Sequence, residues 1–182
     1  DANVAVEFLT TTDPIRARTI ASLLEGLNAQ RKMRTEQVLK GALGQIEHER
    51  SLLDSAALVL SSPQWPAGVI GIVASRLVEL YGKPTVLISE TPGRLARGSA
   101  RSVEGCNITD AIAANSALLA GFGGHAMAAG LSLAAERIPE FRRALSRTVR
   151  EMLGEGAERP ALQITGYLSL SDLNLDLVEQ LE

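Results

Sequence analysis

Cysteine, histidine, aromatic residues and lysine are all scarce in this 182-residue chain. The single cysteine, Cys106, excludes an internal disulfide. It suits a reducing compartment, so a cytoplasmic setting is expected, with Cys106 as a small buried apolar residue. The two histidines, His48 and His125, stand 77 positions apart, and the chain has no Cys pair, no His-x-Glu and no Asp-His-His run. A metal ion held by this chain itself is therefore not expected. Trp65, Tyr81, Tyr167, Phe8, Phe122 and Phe141 are the only aromatics, too few for base stacking to be a main binding device. No apolar run reaches the length of a membrane span, and no membrane partner is expected. Lysine numbers three against fifteen arginines, and no broad basic stripe marks a general nucleic-acid binder. Phosphate contacts, if made, must be few and local.

The net charge of −3 is unevenly spread. Residues 1–53 and 54–134 each balance to zero, 135–150 hold five arginines against two acids, and 151–182 hold seven acids against Arg159. The first ten residues suit helix or strand. Asp13-Pro14 is a helix start, with Asp as cap and Pro in the first turn. Apolar positions Ile20, Leu23, Leu24 and Leu27 continue it, residues 28–37 are nearly all polar, and the apolar spacing resumes at Val38, Leu39, Ala42, Leu43 and Ile46. A helix polar all round in its middle often bridges two bodies. Residues 28–50 are expected to form one exposed, flexibly placed connector helix; the alternative is two helices with a turn near Asn28.

An α/β unit follows. Strands are expected at 56–60, 85–88, 95–101 and 128–133. Helices are expected at 66–81, with Ile72, Val73, Leu77 and Leu80 inward, at 109–119 capped by Thr109, and at 139–153. Residues 154–160 read as a linker, with a further strand at 162–168 and a short helix at 173–181. That tail cannot bury itself, so the chain reads as a piece of something longer.

Four segments are candidates for chemistry, of which Gly105-Cys106-Asn107-Ile108-Thr109-Asp110 reads better as a turn into a capped helix. Phe122-Gly123-Gly124-His125-Ala126-Met127-Ala128-Ala129-Gly130 sets two glycines against a histidine. Gly-Gly reads as a turn that exposes N–H groups to an anion, and His125 adds a donor. The plain alternative is a glycine-rich turn with a hydrogen-bonded histidine. Arg97-Gly98-Ser99-Ala100-Arg101-Ser102 alternates, so an extended chain puts Ser99 and Arg101 on one face as a hydroxyl-guanidinium clamp for phosphate. The alternative is an exposed polar edge. Gly68-Val69-Ile70-Gly71-Ile72-Val73-Ala74-Ser75-Arg76 brings glycines to a helix N-terminus but lacks the Gly-Lys-Ser/Thr ending of a nucleotide P-loop. Close helix-sheet packing explains it equally well. Together these groups can hold a phosphate but not activate water against it.

In order and spacing, Trp65-x-x-Gly68-Val69-Ile70-Gly71-Ile72-Val73-Ala74-Ser75-Arg76, then Gly98-Ser99-Ala100-Arg101-Ser102, then the Gly-Gly-His segment, resemble the RecJ single-strand-specific 5′→3′ exonucleases. The resemblance covers essentially the whole chain, with Asn28-x-x-Arg31 in the connector. It implies an α/β fold: a DHH-associated domain with a central mixed sheet flanked by helices, preceded by a long connector helix. Residues 1–53 would be the N-terminal segment and connector, 54–155 the substrate-binding domain, and 156–182 a linker and the start of an OB-fold region. It also implies a role in repair and recombination on single-stranded DNA. Ser99 and Arg101 would grip the terminal phosphate, with Gly123 and Gly124 in the binding surface and Arg76 and His125 facing the scissile region, His125 as the catalytic group. Two Mn²⁺ or Mg²⁺ ions would bind an Asp-His-His domain lying before Asp1, in cis, and activate water. The fragment alone would then be inactive and hold no cofactor. The family commonly has His after the tryptophan, where this chain has Pro66. Two other readings stay open. One is a DHH-family phosphodiesterase acting on oligonucleotides or cyclic dinucleotides. The other is a non-catalytic module like the related appendage of alanyl-tRNA synthetases.

Overall fold

A computed structural model describes residues 2–154, together with 166–169, 174, 177 and 179. The expected tail strand at 162–168 and tail helix at 173–181 lie for the most part outside the described residues, as does the region 156–182 as a unit.

The N-terminus resolves as helix α1 (Ala2–Thr10). Helix α2 (Pro14–His48) is continuous through the polar run. Asp13 caps it, its carboxylate accepting from the Ile15 amide at 2.9 Å, and Pro14 occupies the first turn where its missing N–H costs nothing. The expectation of an exposed, flexibly placed connector needs correcting for its second half. Thr35, Val38, Ala42 and Ile46 are buried at spacings of three and four residues, which is one helical stripe. Val38, Ala42 and Ile46 join Leu52, Trp65, Val69, Val73 and Leu77 in one apolar cluster. The helix stops at His48, and Arg50–Asp54 is a 3-10 turn.

The sheet has five strands, β1 (Leu58–Ser62), β2 (Thr85–Ser89), β3 (Ala96–Arg101), β4 (Gly121–His125) and β5 (Ala128–Leu133), in the order β1-β2-β3-β5-β4. β1 and β2 are parallel, joined through helix α3 (Ile70–Tyr81), and the other pairings are antiparallel. β2 is buried on both faces and reads as an unbroken run, Thr-Val-Leu-Ile-Ser. α3 starts at Ile70 rather than 66, and Leu80, expected to face inward, is 61% exposed.

Side-chain alternation splits the core in two. Val59, Val86, Ile88, Ala96, Ala100, Ala129, Leu131 and Leu133 point to one face. Helices α4 (Ile108–Ala113) and α5 (Ile138–Leu153) cover it with Ile108, Ile112, Phe141, Leu145 and Val149. Cys106 lies in this cluster, buried as expected, and burial raises its thiol pKa. On the other face, Leu58, Leu60 and Leu87 lie under α3 and the end of α2. α3 lies over β2 and over the Ser99–Arg101 end of β3. The same face of β5 and β4, and of β3 at Arg97, is left open.

Two local expectations are corrected. The cap of α4 is Asn107, whose side chain accepts from the amides of Thr109 and Asp110, and the helix ends at Ala113. The Thr109 hydroxyl instead donates to the His125 carbonyl at 2.7 Å. The Gly-Gly-His segment is not a turn but the edge strand β4, exposed along its whole length. Only Ala126 and Met127 separate it from β5.

Candidate phosphate-binding trough

The uncovered half-face is built by register. β3, β5 and β4 align Arg97 with Ser132 and Gly121, Ser99 with Gly130 and Gly123, and Arg101 with Ala128 and His125. Residues opposite one another share a face, so these three rows lie side by side on the open surface. The middle row carries only one side chain, Ser99, and two glycines. The result is a shallow trough of about 560 Å³, lined among others by Ile70, Arg97, Ser99, Gly123, Gly130 and Ser132.

Arg101 lies one row beyond Ser99, next to the trough rather than in its lining. Its Nη1 donates to the Ser99 hydroxyl at 3.1 Å and to the Ala100 carbonyl at 2.8 Å. These bonds hold the guanidinium flat along β3, while Nε and Nη2 make no hydrogen bond among the described residues. The clamp expected of an extended Ser99-Ala100-Arg101 is therefore present, although β3 is an interior strand and not a polar edge. The start of α3 stands directly over it. A Cβ placed on Gly71 would come within 2.8 Å of both Arg101 Nη2 and Ser99 Oγ. Glycine here is what lets the helix approach the clamp. No side chain caps α3, and while the Ile72 and Val73 amides donate to the Val69 carbonyl, those of Ile70 and Gly71 are left for an anion.

His125 shares the row of Arg101, two strands away, or about 10 Å between backbones at ordinary strand spacing. It is exposed, and its carbonyl is pinned by Thr109. Gly123 and Gly124 differ. A Cβ on Gly123 would meet nothing within 4 Å. Gly124, at φ 157°, has Ala129 Cα 2.5 Å from where its Cβ would stand, and the Ala128 carbonyl oxygen closer still. Gly124 alternates to the opposite side of β4 and supplies close strand contact, whereas Gly123 keeps the trough floor clear.

Arg76 lies elsewhere. Its Nη1 pairs with Glu36 at 2.5 Å, and it lines a separate notch between α2 and α3 with Arg31, Lys32, Thr35 and Ile72. The structure thus brings Ser99, Arg101, Gly123 and His125 onto one surface and does not bring Arg76 into it. Sequence reasoning passed over Arg97, although the two-residue period that joins Ser99 to Arg101 extends to it. No group of three His, Cys, Asp or Glu able to hold a metal occurs among the described residues. The donors present do not fit a divalent cation. No helix among them is long and apolar enough to cross a membrane.

Residues 54–151 match the DHHA1 domain family. The chain is 35% identical over 188 residues to the single-stranded-DNA-specific exonuclease RecJ of Dickeya dadantii, covering all of this chain and 32% of that protein. Two crystal structures of RecJ from Thermus thermophilus, one in complex with Mg²⁺ and one with Mn²⁺, superpose on 82% of this chain at 30% identity, with TM-scores of 0.69 and 0.74. The chain covers 23% and 22% of those chains and about a third of the curated relative's length. The chain belongs to the DHHA1 domain family and is similar over its length to RecJ exonucleases.

Proposed function

We propose that this domain holds the 5′-phosphorylated end of single-stranded DNA for a RecJ-type 5′→3′ exonuclease of repair and recombination, working in the cytoplasm. The observation that carries the reading is the pairing of an anchored guanidinium, Arg101 on Ser99, with a trough whose glycine floor the fold does not require at Gly123. Arg101 offers its free edge to a terminal phosphate in a forked contact. The Ser99 hydroxyl and the Ile70 and Gly71 amides at the start of α3 add donors. His125, two strands away, reaches the next phosphodiester and donates where charge develops. Arg76 and Glu36 fix the connector against α3 and so set where a partner domain stands. The divalent ions, Mn²⁺ or Mg²⁺, would be bound by a DHH domain in cis, since the described residues of this chain offer no such donor set. Those ions would supply the activated water. This domain supplies position, and alone it would not cleave.

The test is a comparison of 5′-phosphate and 5′-hydroxyl strands. Arg101→Ala should weaken binding of the phosphorylated strand by about 2 kcal/mol, roughly thirtyfold, and leave the hydroxyl strand nearly unchanged. Equal losses on both strands would overturn the anchoring role. In a protein that carries the DHH domain, His125→Ala should lower the single-turnover rate by about a hundredfold. An unchanged rate would remove His125 from the chemistry.

A further inference from the structure

The trough does not end at Ser99. It runs on into a second hollow of about 590 Å³, and the two share Ala67, Arg97 and Ser132 as walls. Ser89, Thr91, Arg94 and Leu95 complete the second hollow. Two guanidiniums and three hydroxyls line it, and no carboxylate does. Arg94 and Arg97 are exposed, and neither side chain has a hydrogen bond or ion pair among the described residues. Ser89 and Ser132 already donate to the carbonyls of Trp65 and Gly121, so their hydroxyls are oriented, and the two arginines and the Thr91 hydroxyl stand uncommitted among the described residues.

Beyond Arg94 the character changes. The next hollow shares Thr91, Arg94 and Leu95 with this one but adds Glu90 and Glu136. Carboxylates there repel a phosphate chain. The anion-accepting surface therefore has two ends. One is the Arg101 clamp. The other is Arg94, with Arg97 between them on the same face of β3, four residues or about 13 Å from Arg101.

We propose that Arg97 and Arg94 form a second phosphate subsite, which takes internal phosphodiesters of the strand whose 5′ end lies at Arg101. The proposal rests on the reading of Arg101 as the end anchor and adds the direction in which the strand runs on beyond the row of Arg101 and His125: past the start of α3, toward the β2–β3 loop. It makes affinity depend on length. A dinucleotide reaches the clamp only, whereas a hexanucleotide also engages both arginines.

The 182-residue chain can be titrated with 5′-phosphorylated oligothymidylates of two and six nucleotides by fluorescence anisotropy at several salt concentrations. The double variant Arg94→Gln/Arg97→Gln should weaken the hexanucleotide and leave the dinucleotide unchanged. Its salt slope on the hexanucleotide should fall by about 1.4, or about 0.7 for each phosphate of a single strand that is no longer neutralised. Both residues are exposed, so the fold should be retained. Arg143→Gln/Arg147→Gln removes the same charge from α5, on the opposite face of the sheet, and should change neither ligand. Equal losses on both lengths, no loss on either, or the same loss from the α5 variant would overturn the subsite. Arg101→Ala separates the two proposals. If it weakens both lengths while Arg94→Gln/Arg97→Gln does nothing, the end anchor stands and the subsite falls. If it weakens neither while the double variant retains its length effect, the subsite stands without the anchor. If the unsubstituted chain binds neither oligonucleotide, both fall.

Discussion

Adjacent glycines on one strand can be there for opposite reasons, and Gly123 and Gly124 separate them. At Gly124 a methyl group would overlap a backbone carbonyl on the neighbouring strand, at a φ that other residues avoid. Gly124→Ala should therefore destabilise the domain by about 1–3 kcal/mol, from overpacking and backbone strain. At Gly123 a methyl would meet open space, and Gly123→Ala should leave stability within about 1 kcal/mol of the parent. It should nevertheless weaken single-strand binding, because the methyl would rise from the trough floor. Denaturant titration and oligonucleotide binding on both variants check this. A destabilised Gly123→Ala, or a Gly123→Ala that binds as well as the parent, would refute the distinction. The sequence made the pair visible as a motif but could not assign the two roles. Each depends on which side of β4 a residue faces and on β5 lying beside it. Arg101 and Ser99 were legible for the opposite reason: a period of two along one strand is local information.

Elements were legible where local pattern and tertiary demand agree. The apolar runs of β1 and β2, the alternation of β5 and the amphipathic face of α5 all lie close to where their spacing puts them. β4 did not, because Gly-Phe-Gly-Gly-His has little strand propensity of its own. Its pairing with β5 and the Thr109 contact to the His125 carbonyl hold it extended. The helix α4 shows a second kind of ambiguity. Asn107 and Thr109 are both good capping types, and only the three-dimensional path decides which one faces the free amides. Because Asn107 accepts from two amides, Asn107→Ala should cost about 1 kcal/mol. α4 also holds β4 through Thr109, and the Ile108 amide donates to the Ala126 carbonyl at 2.9 Å. Loosening the start of α4 should therefore raise hydrogen exchange in β4 as well. A stability loss with no change in β4 exchange would show that the strand edge stands without the helix.

At the scale of the molecule, the long helix α2 belongs to two regimes. Between Pro14 and Arg34 the helix buries one residue, Ile20, and its nearest support is α1, tied to it by the Arg16–Glu7 pair. From Thr35 onward it buries four, three of them apolar and packed in one cluster with Trp65 and α3. Gly41 lies so close to the Trp65 indole that a Cβ there would stand 3.2 Å from Nε1. The Glu36–Arg76 pair at the junction is about half exposed on each side, so it contributes about 0–1 kcal/mol and orients more than it stabilises. A helical segment of about twenty residues with little burial is marginal in water, and such segments open locally without global unfolding. Amides of residues 20–33 should therefore exchange orders of magnitude faster than those of 40–48, whose opening requires the core cluster to come apart. Ile46→Ala should cost about 2–4 kcal/mol through the cavity it leaves, lowering protection in 40–48 and in β1 together while leaving 20–33 unchanged. Hydrogen exchange read by mass spectrometry on both proteins decides the matter. Uniform protection along α2 would mean that the connector moves as one rigid rod. The division of α2 into two regimes at residues 34–35 would then fall.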